Sequence, residues 1–298
     1  LDLENRIQSH ILDIRDLQNV KRIFDEFKPE IVFHFADQPL VIDSYKNPVY
    51  TFDVNVIGTV NILECIRLNP CVKSFVNVTT DKVYENQEQE NYGYVETDRL
   101  NGYDPYSNSK SCSELVTASY CKSFYSDRDL AVSTCRAGNV IGGGDFSENR
   151  IVPDCIKYTV KNIPIIVRNP NSVRPYQHVL EADMFYLMLA MKQYNNKSYA
   201  GNYNIGPDDS DCVTTSQLCE LFCHFWEGAK CKATDYQGPN EANFLKLNCE
   251  KAKSILNWHP RWHVAEAVKK TIEWSKVFVN NGDLKEITSH QILEYMEE

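Results

Sequence analysis

Tyr106 and Lys110 lie four residues apart, a spacing that places a phenol beside an ammonium on one face of a helix. Asp104 can cap the start of such a helix, and Pro105 suits its first position. A free tyrosine ionises near pH ~10, and a nearby positive charge favours the phenolate. Lowering the phenol pKa by ~3 units needs about 4 kcal/mol, which a lysine with a cationic cofactor could supply. The spacing indicates either a tyrosine base or a ring packed under a lysine stem.

A second polar group follows the apolar segment Ser74–Val78, which is typical of a buried strand. Thr80, Asp81 and Lys82 come directly after it. In open α/β sheets, ligands bind at the carboxyl ends of strands. Burial would let Asp81 act as an acid, whereas Lys82 can be a base only if it is desolvated or near another cation. The alternative is an exposed Asp–Lys ion pair in a loop.

The run Thr79–Lys82, followed by Tyr106-x-x-x-Lys110, resembles the extended short-chain dehydrogenase/reductase family and, within it, the nucleotide-sugar 4,6-dehydratases. The resemblance extends to about Lys276 and is greatest to the dehydratases that act on CDP-glucose, which have lysine where thymidine-nucleotide enzymes carry glutamate. It implies a hydro-lyase that uses NAD in an internal redox cycle. The product would be a 4-keto-6-deoxy sugar nucleotide for deoxysugar and O-antigen biosynthesis.

The resemblance also implies roles for individual residues. Tyr106 would be the base at the sugar 4-hydroxyl, Lys110 would lower its pKa and hold the nicotinamide ribose, and Thr80 would bind the 4-oxygen. Asp81 would protonate the departing 6-hydroxyl; Lys82 would be the C5 base or would stabilise the enolate. The implied cofactor-binding residues are Asp13, Ile14, Phe35, Ala36, Asn55, Tyr106 and Lys110. The implied substrate-binding residues are Thr80, Asn139, Arg150 and Arg174.

One residue beside the expected cofactor site departs from the family pattern. Asp37 stands where an alanine is expected, after His34-Phe35-Ala36. A carboxylate would repel the NAD phosphates. It must therefore point away from them or weaken binding.

Alternating strands and helices predict an α/β fold with a doubly wound parallel sheet of Rossmann type. We expect strands near Ile11–Asp16, 30–36, 74–78, 131–136, 163–167 and 202–206. We expect helices over 17–28, 54–68, 105–125, 154–161, 180–193, 218–226, 249–256 and 263–279. The resemblance implies an NAD-binding lobe of 1–140 plus 178–206, and a smaller mixed α/β substrate lobe of 141–177 and 207–298.

A dinucleotide fold normally begins with a strand, a glycine-rich turn and a helix that holds the pyrophosphate. No such turn precedes Leu12, and Gly142–Gly144 comes too late in the chain to serve. We therefore expect roughly two strands and two helices of the fold to be missing from this sequence. The sequence would then be either a fragment or a natural variant with impaired cofactor binding.

Composition limits the partners that the chain can have. The net charge of −10 argues against a nucleic-acid surface, and no apolar run is expected to cross a membrane. The 11 cysteines form no Cys-x-x-Cys pair, which favours a reduced cytoplasmic setting. Cys219, Cys223 and His224 are interpreted as core residues, so no metal is expected. The resemblance implies a homodimer formed through the helices 54–68 and 106–125.

Three alternatives stay open at this point. The enzyme could act on a GDP- or dTDP-linked sugar. It could be an epimerase or reductase on the same scaffold, in which case Asp81 and Lys82 would be unneeded. It could also be a truncated, non-catalytic binding protein.

Overall fold

Four strands, Ile31–His34, Ser74–Val78, Ala131–Ala137 and Asn202–Ile205, pair in that order as a parallel sheet, which confirms the Rossmann-type fold. The computed structural model describes residues 1–90, 92–234 and 244–297. Its strands are β1 (Ile31–His34), β2 (Ser74–Val78), β3 (Ala131–Ala137), β4 (Asn139–Ile141), β5 (Ile165–Val167), β6 (Val173–His178), β7 (Asn202–Ile205), β8 (Cys212–Thr214) and β9 (Cys231–Ala233). The register pairs His34 with Asn77 and Val78 with Cys135, so the loops after these strands meet at one edge.

Helices cover both faces of this sheet, as expected for a doubly wound fold. The helices are α1 (Leu17–Phe27), α2 (Val41–Lys46), α3 (Pro48–Phe52), α4 (Gly58–Leu68), α5 (Pro105–Tyr120), α6 (Ile151–Val160), α7 (Val179–Asn195), α8 (Thr215–Phe225), α9 (Glu250–Leu256), α10 (Val264–Val279) and α11 (Leu284–Glu297). One core joins α1 and α4 to Phe75, and the other joins α7 and α9 to Val76. Successive residues of β2 thus face opposite cores, as strand geometry requires.

A smaller assembly forms beside the parallel sheet. In it, β6 pairs with β4 in parallel and with β8 antiparallel, and β5 pairs with β9. Residues from α6, α8 and α10 make its core, and a capping box of Thr214 and Gln217 opens α8. Residues 235–243, within the predicted substrate lobe, lie outside the described residues. The division into two lobes stays a prediction. Helix α9 falls within the predicted substrate lobe, but it packs on β7 of the main sheet.

Two sequence expectations are wrong. The segment 11–16 forms no strand: Ile11 is exposed, and no neighbouring strand among the described residues offers it backbone partners. His224 is exposed rather than part of the core, although Cys219 is buried. The C-terminal segment forms α11, for which the sequence analysis predicted no element. Tyr295 anchors this helix by donating a hydrogen bond to Glu181 Oε2 at 2.7 Å.

The expectation that the chain has no apolar run of membrane-spanning length must also be corrected. The helical stretch Pro48–Leu68 has 21 residues and a mean hydropathy of 1.2, so by length and composition alone it could cross a membrane. Of its most apolar window, 56% is buried within the fold. Ile62, Leu63 and Ile66 pack in the core with α1 and β2, so protein contacts account for the apolar character of this stretch.

Candidate active site

The first turns of α5 carry Tyr106 and Lys110 on its buried face. The Asp104 carboxylate accepts a hydrogen bond from the Ser107 N–H at 3.0 Å, and Pro105 opens the helix. This confirms the cap read from the sequence. Both Tyr106 and Lys110 are buried, as their spacing predicts.

The Lys110 ammonium is held by two acceptors at the carboxyl ends of neighbouring strands. It donates a hydrogen bond to the Val78 carbonyl at 2.9 Å and lies 3.1 Å from Asp37 Oδ2. Only 5% of the lysine side chain and 17% of the aspartate side chain are exposed. Asp37, the residue that departs from the family pattern, therefore points at the predicted catalytic lysine.

The Tyr106 phenol lies in an environment that keeps it protonated. Burial raises its pKa well above its usual range, and the charges of Asp37 and Asp81 act in the same direction. A hydrogen bond with Thr80 and the charge of Arg150 oppose them. The direction is opposite to the one expected from the Tyr106–Lys110 spacing, because burial opposes the phenolate and the charge of Asp37 adds to that effect.

The turn after β2 brings Thr80, Asp81 and Lys82 to the same edge of the sheet. Asp81 Oδ1 accepts hydrogen bonds from Thr80 Oγ1 at 3.0 Å and from Lys82 Nζ at 2.9 Å. Asp81 Oδ2 is buried and has no hydrogen-bond partner among the described residues. The Asp81 side chain is 0% exposed, so the alternative of an exposed loop ion pair is wrong.

A cleft of about 910 Å³ opens in front of these groups. Thr80, Lys82 and Tyr106 line it at the sheet edge, together with the predicted substrate residues Asn139, Arg150 and Arg174. Asn139 Oδ1 accepts a hydrogen bond from Lys82 Nζ at 3.4 Å. The structure thus brings three predicted catalytic side chains and the predicted substrate-binding side chains to one cavity, whereas Asp81 and Lys110 are buried and do not line it.

The two predicted substrate arginines differ in their surroundings. Arg174 is buried and donates to the Val173 carbonyl at 2.8 Å. Arg150 is 41% exposed and lies 3.2 Å from Asp145. An additional arginine, Arg168, also lines the cleft, although the sequence gives no signal for it beyond its charge.

The predicted cofactor residues lie beside β1 and α4. Phe35 is 52% exposed, and Ala36 next to it is exposed as well. Ile14 packs so closely on Gly58 that a Cβ there would lie 2.4 Å from the isoleucine Cδ1. Hydrogen bonds from Arg15 lower the pKa of Asp13 to about 2.

Asn55, also predicted to contact the cofactor, makes its hydrogen bonds to protein groups. Its Oδ1 accepts from the Gln38 N–H at 2.7 Å, and its Nδ2 donates to the Gln38 carbonyl and to Ser109 Oγ. These bonds tie the loop after β1 to α5. The Asn55 side chain therefore positions this loop relative to α5.

A buried ion pair behind the site was missed by sequence reasoning. Glu114 of α5 accepts hydrogen bonds from Arg136 Nε at 2.8 Å and from Thr79 Oγ1 at 2.6 Å. Arg136 Nη1 also donates to Tyr84 Oη at 2.8 Å. Glu114 follows Lys110 by four residues, and this repeated spacing on a buried face is the signal that could have found it.

Comparison with known proteins shows the family of this chain. The sequence model of the GDP-mannose 4,6 dehydratase family matches residues 1–271. The CDP-glucose 4,6-dehydratase of Salmonella typhimurium is 40% identical over 99% of this chain and 84% of its own. The dTDP-D-glucose 4,6-dehydratase of Dictyostelium discoideum is 31% identical over 67% of this chain and 46% of its own.

Solved structures show the same fold. The UDP-glucose 4-epimerase of Thermus thermophilus, in complex with NAD, has a TM-score of 0.79 at 25% identity, covering 89% of this chain and 83% of its own. The dTDP-glucose 4,6-dehydratase of Bacillus anthracis, in complex with NAD, has a TM-score of 0.75 at 21% identity, covering 89% and 78%. By its sequence match over most of its length, this chain belongs to the GDP-mannose 4,6 dehydratase family.

Proposed function

We propose that this protein dehydrates CDP-glucose to CDP-4-dehydro-6-deoxyglucose, with NAD as the resident cofactor. The observation that carries the proposal is the meeting of Tyr106 with Lys82 in one cleft, where the Lys82 ammonium is hydrogen-bonded to the buried Asp81 carboxylate. An epimerase needs the tyrosine but has no leaving group to protonate. The 40% identity to a CDP-glucose 4,6-dehydratase supports the choice of nucleotide.

Tyr106 and Thr80 handle the proton of the sugar 4-hydroxyl in this proposal. Tyr106 Oη accepts that proton, and Thr80 Oγ1 orients the 4-oxygen toward it. The phenol must first lose its own proton, which burial opposes. When bound, NAD brings a positive ring and supplies the acceptor for the C4 hydride and the donor that returns it at C6.

Asp81 and Lys82 handle the elimination of water. The 2.9 Å hydrogen bond lets a proton pass from Lys82 Nζ to Asp81 Oδ1 without changing the net charge of the pair. A protonated Asp81 can then protonate the departing 6-hydroxyl, while a neutral Lys82 can remove the C5 proton.

The residues near β1 fit a dinucleotide. Phe35 presents an exposed aromatic ring at the carboxyl end of a parallel strand, where dinucleotides bind in such folds. Phe35 and Ala36 would contact the middle of the cofactor, and Asp13 and Ile14 its adenosine end. Lys110 would hold the nicotinamide ribose, and Asn55 would fix the loop between these groups.

The substrate pyrophosphate would be bound by arginine side chains at the far wall of the cleft. Arg174 is buried there, and a guanidinium matches phosphate oxygens with two parallel hydrogen bonds. Arg150, which is partly exposed beside Asp145, would assist, and Asn139 would orient the sugar.

The function is tested by incubating the protein with CDP-glucose, dTDP-glucose, UDP-glucose and GDP-mannose. Alkali-induced absorbance reports the keto sugar, and we expect CDP-glucose to react fastest. Preferred turnover of a dTDP- or GDP-linked sugar would change the nucleotide assignment. A change at C4 alone would favour an epimerase. No turnover and no retained NAD would favour a binding protein.

Asp81→Asn is expected to lower turnover of CDP-glucose by roughly 10²-fold, because the 6-hydroxyl then leaves without an acid. The substrate analogue with fluorine in place of the 6-hydroxyl needs no proton on its leaving group. Its fluoride release should therefore fall much less, which an ion-selective electrode can measure. An equal loss with both substrates would contradict the acid role.

We also propose that the protein is a homodimer through α4 and α5. Leu68 of α4 and Leu115 of α5 are exposed apolar side chains, and Phe124, which follows α5, is another. Leu115→Lys should convert a dimer to a monomer in light scattering, because it places a charge in the apolar contact. Leu187→Lys, on the exposed face of α7, is the matched control and should leave the dimer intact. A wild-type monomer would contradict the proposal.

We place the reaction in the cytoplasm. All 11 cysteines are free, and most are at least partly buried. Cys155 and Cys219 lie with their sulfur atoms 3.7 Å apart without a bond between them, as a reducing compartment would leave them.

A further inference from the structure

Asp37 is the one charged residue of the loop after β1 that contacts the predicted catalytic lysine. Its Oδ2 lies 3.1 Å from Lys110 Nζ, and the pair is shielded from water by its surroundings. The other contact of the ammonium is the Val78 carbonyl at 2.9 Å. Both contacts draw the ammonium to the ends of β1 and β2.

The same carboxylate acts on the phenol. Because the ion pair is partly buried, the negative charge of Asp37 is screened weakly and opposes ionisation of the Tyr106 phenol, against the attraction that an unpaired lysine ammonium would exert on a phenolate. An alanine at this position, as the family pattern would have it, would leave that attraction intact. The substitution thus changes the electrostatics of the site without changing either the tyrosine or the lysine.

We propose that Asp37 is a positioning residue that holds the Lys110 ammonium at the end of β1 and so shifts ionisation of Tyr106 to higher pH. The inference rests on the proposed role of Tyr106 as a base. In this arrangement the phenol stays neutral until a further cationic group enters the site. Asp37 therefore makes formation of the Tyr106 phenolate depend on the binding of a cationic group in the site.

Other charged and titratable groups face the same residues. Asp81, from the turn after β2, opposes phenolate, and Arg150, before α6, favours it. Tyr186 of α7 interacts electrostatically with Tyr106 and is itself fully protonated, since burial raises its pKa. His34 of β1 lies near Lys110 and is neutral, because burial and that ammonium lower its pKa to about 3. Asp37 is the member of this set that binds the ammonium directly.

The test reads the phenol itself rather than turnover. Uniform replacement of the 17 tyrosines by 3,5-difluorotyrosine brings phenol ionisation to lower pH, and ¹⁹F NMR follows each ring. The Tyr106 resonance is assigned by its loss in Tyr106→Phe. Titrations compare the wild type with Asp37→Asn and Asp37→Ala. Asp25→Asn, which breaks the surface pair with Lys21, is the matched control.

Both Asp37 variants should lower the Tyr106 midpoint by about one pH unit or more, and Asp25→Asn should leave it unchanged. An unchanged midpoint in both Asp37 variants, with the other resonances native, would overturn the inference. An equal shift in Asp25→Asn would also overturn it. If no nucleotide sugar is dehydrated, the proposed function fails, but the titration still reports whether Asp37 controls the phenol.

Discussion

Tyr106→Phe is expected to lower turnover of CDP-glucose by roughly 10²- to 10⁴-fold, the usual contribution of a general base. The substitution removes one oxygen from a buried ring and keeps its volume, so the site should stay folded. The KM should change little, because Arg174, the proposed pyrophosphate ligand, lies elsewhere in the cleft. Keto-sugar formation over a range of CDP-glucose concentrations measures both quantities.

Tyr103→Phe provides the matched control for this loss. Tyr103 belongs to the same segment and lines the same cleft, but its side chain is 83% exposed. Its hydroxyl should be dispensable for the chemistry. Turnover by Tyr106→Phe above one tenth of the wild-type rate would remove the phenol from the proposed reaction, as would an equal loss in Tyr103→Phe.

The local chemistry of α5 could be predicted because it depends on residues close in sequence. Asp104 and Pro105 set the start of the helix, and a period near four fixes which side chains share its buried face. The strand Ser74–Val78 could be predicted equally well, since a short, mostly apolar segment between polar segments is typical of a buried strand.

The electrostatics of the site could not be predicted in the same way. Asp37 and Lys110 are 73 positions apart, and only the pairing of β1 with β2 and the packing of α5 bring their charges together. The sequence identified Asp37 as unusual but not its partner. A pKa depends on burial and on every charge nearby, so the spacing of Tyr106 and Lys110 gave the wrong direction.

Some elements also depended on contacts that a local pattern does not contain. The segment 11–16 has strand-like residues, but backbone pairing rather than composition makes a strand. Helix α11 has a weakly apolar face, and it is anchored by Tyr295, which meets Glu181 of α7 across the fold. Tertiary contacts decide both cases.

The ion pair behind the site connects the catalytic helix to the sheet. Glu114 lies on α5, two helical turns beyond Tyr106, and binds Arg136 of β3. Arg136 reaches Tyr84, whose hydroxyl donates to Asn204 Oδ1 of β7 at 2.5 Å. The position of the phenol relative to the strand ends is therefore fixed by buried charge as well as by apolar packing.

Glu114→Gln is expected to lower the free energy of unfolding by roughly 3–5 kcal/mol, because it leaves the Arg136 guanidinium buried without a counter-charge. Both side chains are almost fully buried, so water cannot replace the lost carboxylate. The change keeps the volume of the side chain and creates no cavity. Urea denaturation followed by circular dichroism should show the loss as a lower midpoint.

Two further variants separate the cost of an unpaired charge from general disruption of the core. Glu26→Gln breaks the exposed Arg22–Glu26 pair on α1 and should leave the midpoint unchanged. Replacing Glu114 and Arg136 together by methionine should recover most of the loss, since a buried ion pair and apolar side chains of similar size often stabilise a fold equally. A native midpoint in Glu114→Gln would contradict the argument, because the guanidinium would then not depend on its partner.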